Sequence, residues 1–324
     1  MTQAAGLRPR ANGHAKALAA RPGAAPRTIK PPRVRNATFQ WLGALLLVAN
    51  KVRHKVRGYK TPRPFPVSET SRVVEYDFNV VDKWLAALRQ YSGRHFSFHG
   101  RTVLELGPGP DLGTGLLLLS NGAKAYHALD VVDLALRAPP ALYDQLLARF
   151  DDTDRTSLAS ELESALHGEG KRLNFVVDPG FDVRTFAGRD VDLVVSQAAF
   201  EHFDNPGKVI ARLNDVVAPG SILVSEIDLQ THNRWLRDSD PLNIYRYTDR
   251  FYEMTRFSGS PNRWRPADYV DAFSRNGWRD ISLTPITTLH PDYLPRVVPA
   301  LNQRFQAPEN RMEVLHFVIC ARKA

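Results

Sequence analysis

The chain has 324 residues, 43% of them hydrophobic and 24% charged, with a formal net charge of +9. That length supports one substantial core with a smaller appendage, and the composition excludes a fibrous or wholly disordered chain. The charge is lopsided: residues 1–68 carry fourteen Lys and Arg and no acid, leaving 29 basic against 34 acidic residues from Glu69 onward.

A mildly acidic body argues against a nucleic-acid footprint spread over the surface, so no specific nucleic acid is expected as a partner. The single cysteine, Cys320, excludes an internal disulfide and a multi-cysteine metal site, and no metal ligands are read from the sequence. Cys320 lies in an apolar stretch, VLHFVICA, and reads as core.

Residues 1–35 are rich in Ala, Arg and Pro without apolar periodicity and read as a disordered basic arm. The acid-free composition also resembles a transit peptide, although serine is scarce. Residues 36–60 read as a basic amphipathic helix. Within 38–57, Leu42, Leu45, Ala49, Val52 and Val56 share a face, while Lys51, Arg53, Lys55 and Arg57 gather toward the far end. Two outcomes stay open for this helix: docking on the body, or lying on an anionic membrane surface. No apolar run approaches the roughly 20 residues that a membrane-spanning helix needs, and a secretory signal is not expected.

Residues 61–100 hold a linker, marked by Pro62, Pro64 and Pro66, and a helix from about Tyr76 to Tyr91. Phe78, Val81, Trp84, Leu85 and Leu88 form its apolar stripe, which suits a helix covering the sheet edge or a ligand mouth. From Arg101 strand and helix alternate. Strands are read at 101–106, 124–130, 172–178, 191–196, 220–226, 280–287 and 313–321, with helices at about 112–121, 205–216 and 266–275. The alternation implies a mainly parallel α/β sheet with right-handed crossovers. Asn205-Pro206 and Pro266 are helix starts, and Gly277 is a stop. Residues 133–171 form a helical insertion with no assigned role.

The stretch Arg101 to Leu119, RTVLELGPGPDLGTGLLLL, is organised around a tight turn. Glycine is required where a backbone lies against a ligand or takes positive φ, and the helix after the turn offers free N–H groups. Asp130 ends the next strand, where nucleotide-binding folds place their ribose acceptor. The fourth strand runs from Asp192 to Ser196 and into Gln197, Ala198, Ala199, Phe200, Glu201 and His202.

With these three features in register, residues 101–323 resemble the class I S-adenosylmethionine-dependent methyltransferases, in their small-molecule branch. The resemblance implies a Rossmann-like, seven-stranded, mainly parallel sheet with helices on both faces and the last strand antiparallel. It implies S-adenosyl-L-methionine as cofactor, with Gly107 and Gly109 against its methionine part. Glu105 would sit beneath the turn, bonding loop amides or reaching the ammonium. Asp130 would accept both ribose hydroxyls, Val131 would pack on adenine, and Asp182, or alternatively Asp178, would approach the adenine amino group. Ser196, Gln197 and Ala198 would line the sulfonium side through their backbone carbonyls. Pro110-Asp111 departs from the usual pattern; Asp111 would cap the following helix or help hold the cation, and the cap is preferred.

His202 is a candidate general base, since its pKa lies near working pH, or else a partner for a loop carbonyl. The segment 229–265 interleaves aromatics with arginines and reads as a lid or substrate segment; His232, Tyr245 and Arg246 are its candidate substrate contacts. The expected acceptor is a small molecule, sugar or lipid-linked compound taking the methyl on oxygen, in a cytoplasmic protein with a peripheral membrane contact through 38–57. Three rival readings fit the sequence less well. An NAD-dependent dehydrogenase lacks a Tyr-x-x-x-Lys pair, an RNA-directed methyltransferase would use the basic arm, and a silent methyltransferase-like module would not need a complete cofactor site.

Overall fold

The computed structural model describes residues 25–57 and 65–324. Most of the acid-free arm, together with Pro62 and Pro64, lies outside the described residues. The chain runs β1 (Arg27–Ile29), α1 (Asn36–Arg57), α2 (Thr70–Ser92), β2 (Thr102–Leu106), α3 (Gly113–Ser120) and β3 (Ala125–Asp130). It continues through α4 (Pro140–Leu147), α5 (Asp152–Leu166), β4 (Leu173–Val177), β5 (Val191–Gln197) and α6 (Pro206–Leu213). It closes with β6 (Val217–Asp228), α7 (Asp249–Thr255), α8 (Pro266–Arg275), β7 (Trp278–Leu289) and β8 (Val314–Lys323).

Among the described residues the strands form one eight-stranded sheet in the order β1-β7-β8-β6-β5-β2-β3-β4. Every neighbouring pair is parallel except those made by β8, which is antiparallel to β6 and β7. Seven strands were expected. The eighth is β1, whose three residues pair with Thr287, Thr288 and Leu289 inside the stretch read as disordered. A three-residue strand is too short to carry a period, so nothing in the sequence announced it.

From β2 the chain winds outward through β3 and β4, then returns to place β5 on the other side of β2. This reversal puts a crevice at the carboxyl ends of β2 and β5, where open α/β sheets bind ligands. One sheet face buries Val103, Leu116 and Tyr126 against Trp84 and Leu88 of α2 and Leu142 and Leu158 of the insertion. The other buries Leu104 and Val194 against Ile210 of α6 and Phe273 of α8. The insertion is thus a structural cover. Glu161 also holds it to β4, accepting the N–H groups of Lys171, Arg172 and Leu173.

A third apolar cluster joins Ile244, Tyr245 and Tyr252 to Tyr293, Leu301 and Phe305, with Ile29 and Leu47 packed against it. It takes up Leu242, Ile244, Tyr245 and Tyr252 of the segment read as a lid. Arg265 is fully buried and donates to the carbonyls of Asn310, Arg311 and Val314. Arg246 makes a two-toothed ion pair with Asp240 at 2.8 and 2.9 Å, in a fully buried corner.

Helix α1 docks, but by the opposite face from the one its apolar pattern suggests. Buried Gly43 lets it approach Asn243 and Tyr247, which donate to the carbonyls of Phe39 and Gln40. Lys51 donates to the Arg256 carbonyl, and the His54 ring stacks on Phe257 at 4.3 Å. The stripe at Trp41, Leu45, Val48, Val52 and Val56 faces outward, with Trp41 78% and Val56 77% exposed.

Candidate active site

The turn after β2 sets the floor of the crevice. Gly107 and Gly109 have φ of 74° and 82°, values that a side chain disfavours. The Gly107 N–H donates to the Leu129 carbonyl at 2.9 Å, and a Cβ on Gly107 would come within 2.8 Å of the Ala199 Cβ. A Cβ on Gly109 would meet nothing within 4 Å. Asp130 braces the turn from beside it: Oδ2 accepts the Gly109 N–H at 3.2 Å, and Oδ1 accepts those of Val131 and Val132 at 2.6 and 3.3 Å. Burial raises the Asp130 pKa, and these three donors oppose the rise.

Three more acids converge beneath. Glu105 accepts the hydroxyls of Thr114 and Tyr126, each at 2.7 Å, rather than the loop amides expected of it. Burial lifts its pKa to about 7, against the pull of those two bonds. Asp111, one residue before the N-cap Leu112, accepts the N–H of Gly113, the first residue of α3, at 2.9 Å, and burial raises its pKa to about 6. Asp77, from the buried face of α2, is raised well above its ordinary value by burial and then by the charges of Asp111 and Glu105. Its Oδ2 has no hydrogen-bond partner among the described residues. Asp77 was missed in the sequence. The signal was present, because an acid stands at helical spacing among Val74, Val81 and Trp84 on an otherwise apolar stripe.

A cavity of about 1350 Å³ opens over these groups. Of the sequence candidates, Glu105, Gly107, Gly109, Asp130, Val131, Gln197 and His202 line it, with Ala198 beside Gln197 and with Asp77 and Asp111. The others stand elsewhere. The Ser196 hydroxyl turns into the core and donates to the Leu106 carbonyl at 3.0 Å, clamping β5 to β2. Asp182 is gripped by Arg184 and Arg212; the Arg184 hydrogen bonds chiefly hold it down at about 2, and Phe181 takes the cavity wall in its place. Asp178 is spent on the N–H groups of Gly180 and Asp182. Tyr245 and Arg246 are core: Tyr245 donates to the Leu229 carbonyl, and Arg246 is locked on Asp240. From 229–265 only Ser258 and Gly259 reach the rim.

His202 is held by a 2.6 Å contact between Nδ1 and the Gly259 carbonyl. A carbonyl can only accept, so Nδ1 carries the proton and Nε2 keeps its lone pair. Burial lowers the His202 pKa, opposed by Gly259 and Asp228. The His232 ring lies 4.7 Å away, and burial lowers its pKa to about 3. Burial alone would raise Asp228, but His316, His232 and Arg237 pull it well below the carboxylate range. Neighbouring Glu201 is raised well above its range by burial and by Asp228. His232 stands behind His202 and does not line the cavity. Asp228, Glu201 and His316, which complete this cluster, were not singled out from the sequence; they gather only when β5, β6 and β8 lie side by side.

Residues 74–283, well over half of the chain, match the family model described as a methyltransferase domain. No curated protein matches the chain. Among solved structures, an S-adenosylmethionine-dependent methyltransferase from Mesorhizobium loti is 12% identical, with 73% of this chain and 96% of that one covered and a TM-score of 0.41. The CurJ carbon methyltransferase is 16% identical over 90% of this chain and 72% of its own, with a TM-score of 0.44. Phosphoethanolamine N-methyltransferase 2 of Haemonchus contortus, solved with S-adenosyl-L-methionine, is 14% identical over 81% and 62%, with a TM-score of 0.40. These are distant likenesses; the match over 74–283 is what bears on identity.

Proposed function

This chain belongs to the class I S-adenosylmethionine-dependent methyltransferases, and on that premise we propose that it methylates a hydroxyl of a small-molecule, sugar or lipid-linked acceptor. The residues present suit the cofactor. Gly107 and Gly109 leave the main chain open to close approach, and Asp130 offers a carboxylate at the adjacent strand tip. Asp77, Glu105 and Asp111 line the cavity, and the groups that act on them are other acids, hydroxyls and a backbone N–H, with no Lys or Arg, a setting that favours a ligand bearing an ammonium and a sulfonium.

S-adenosyl-L-methionine, when bound, supplies an electrophilic methyl group on a sulfonium. The protein's work is to orient the partners, exclude water and handle one proton. Phe181, Val131 and Phe203 give the cavity an apolar wall. His202 carries the proposal for oxygen. It is neutral by burial, its tautomer is set by Gly259, and its Nε2 can take up a hydroxyl proton at the cavity wall.

The outward stripe of α1 favours a membrane-associated acceptor. His54, on the docked face of that helix, lines the cavity, so α1 stands beside the cavity while its apolar face points outward. On this proposal the protein works at the cytoplasmic surface of a membrane, held through 38–57. The test is incubation of the full chain with methyl-labelled cofactor and separated lipid, glycan, RNA and small-metabolite fractions. Alkali-stable methyl ether label in the lipid or glycan fraction is expected. Label confined to RNA, or to nitrogen, overturns the acceptor class.

A further inference from the structure

Glu201, His202 and His232 bring a carboxylate oxygen and two imidazole nitrogens within 4.8 Å of one another. In each, one polar atom is held by the protein and another is left over. Glu201 accepts the Asp228 N–H through Oε1 at 3.2 Å, while its Oε2, in a side chain only 2% exposed, has no hydrogen-bond partner among the described residues. His202 spends Nδ1 on the Gly259 carbonyl, leaving Nε2. His232 sets Nε2 3.7 Å from the Asp228 carboxylate, and its buried Nδ1 has no partner among the described residues. A buried carboxylate oxygen and a buried imidazole nitrogen left unpaired in one cluster are costly, and a single cation would satisfy both.

We propose that Glu201, His202 and His232 are the ligands of a divalent first-row transition-metal ion. Two imidazoles and one carboxylate form a borderline donor set that suits zinc or manganese and disfavours magnesium, which prefers all-oxygen shells. The outer shell has the form that metal sites use. A backbone carbonyl fixes His202, and the Asp228 carboxylate faces His232 Nε2 at 3.7 Å. Asp228 is in turn held by Arg237 and by His316 at 3.5 Å, so that guanidinium is already engaged. His202 alone of the three lines the cavity, which puts the open side of the ion toward the acceptor. This inference rests on reading the cavity as the acceptor's, and deepens it: the oxygen to be methylated binds the ion, which lowers its pKa, and its proton passes to water in the cavity. His202, with Nε2 on the ion, then holds the metal in place of taking the proton itself.

The experiment titrates chelator-treated full-length protein with Mn2+ and with Zn2+ by calorimetry, with cofactor binding in chelator as the folding control. One ion per chain is expected, bound at least ten-fold more weakly by Glu201→Gln and His232→Ala. Should either variant fail to bind cofactor, the wild-type Mn2+ complex decides by spin-echo spectroscopy: two directly bound nitrogens are expected, and none overturns the site. Failure of the wild type to bind either ion also overturns it. Methyl transfer at full rate in chelator, with no ion bound, sinks the metal and leaves the methyltransferase reading standing.

Discussion

Gly107 carries two constraints at once, a φ of 74° and a 2.8 Å approach to the Ala199 Cβ. Gly107→Ala therefore strains the turn and pushes on β5, and we expect a loss of about 1–3 kcal/mol with loss of cofactor binding. Pairing it with Ala199→Gly removes the clash but not the strain, so thermal melting should recover only in part; full recovery would count against the φ argument. Glu105 permits a pH test. Its folded pKa of about 7 stands above the roughly 4.3 of an unfolded glutamate, so the folded chain binds the extra proton between those values. Its contribution is then fully present below about pH 4 and lost as pH rises through 7, amounting to about 4 kcal/mol at most. Glu105→Gln should gain melting temperature relative to the wild type between pH 5 and pH 8; a constant difference would refute the raised pKa. The glycines and Asp130 were legible in the sequence because their spacing is fixed by a local turn and one strand. Asp182, Tyr245 and Arg246 were misjudged because polar residues at plausible positions look the same whether they face a ligand or each other. Only the fold shows Arg246 spent on Asp240 and Asp182 spent on two arginines.

Among the elements, strands such as β2 and β5 were readable from short β-branched and leucine stretches, Thr102–Leu104 and Leu193–Val195, and α6 and α8 from their proline starts. Helix α1 shows where periodicity stops being informative. Its apolar stripe was legible, yet the helix is held by polar contacts on the other face, through main-chain carbonyls that no sequence pattern displays. Gly43 is the residue that allows them. A Cβ there would fall 2.1 Å from Asn243 Oδ1 and 2.2 Å from the Tyr247 hydroxyl. Both are buried and bonded, so neither gives way cheaply. We expect Gly43→Ala to raise hydrogen exchange and proteolysis across Asn36–Arg57 by an order of magnitude or more, with the sheet's protection unchanged; equal protection along α1 would show that the helix is held by something else.

At the scale of the molecule, a basic helix with its apolar side outward is fixed to an acidic body, its His54 at the cavity. If that side meets an anionic membrane, association depends on both parts. Co-sedimentation with phosphatidylserine vesicles should fall several-fold when salt is raised from 0.05 to 0.5 M, through screening of Lys51, Arg53, Lys55 and Arg57. It should fall further in Trp41→Glu with Val52→Glu, while cofactor binding stays as in the wild type. Binding to neutral vesicles as strong as to anionic ones would discard the electrostatic part.

The pairing of Ile29 with Leu289 has a consequence in time. The third apolar cluster, against which Ile29 and Leu47 pack, draws on residues as late as Leu315. During synthesis the N-terminal segment leaves the ribosome first, and its docking partners leave last. For most of translation α1 has no body to rest on, and closing so long a loop is a slow, late event. A growing chain therefore presents its basic, apolar helix to the cell interior before any cavity exists beside it, and a surface that captures the helix can do so while the enzyme is still being made.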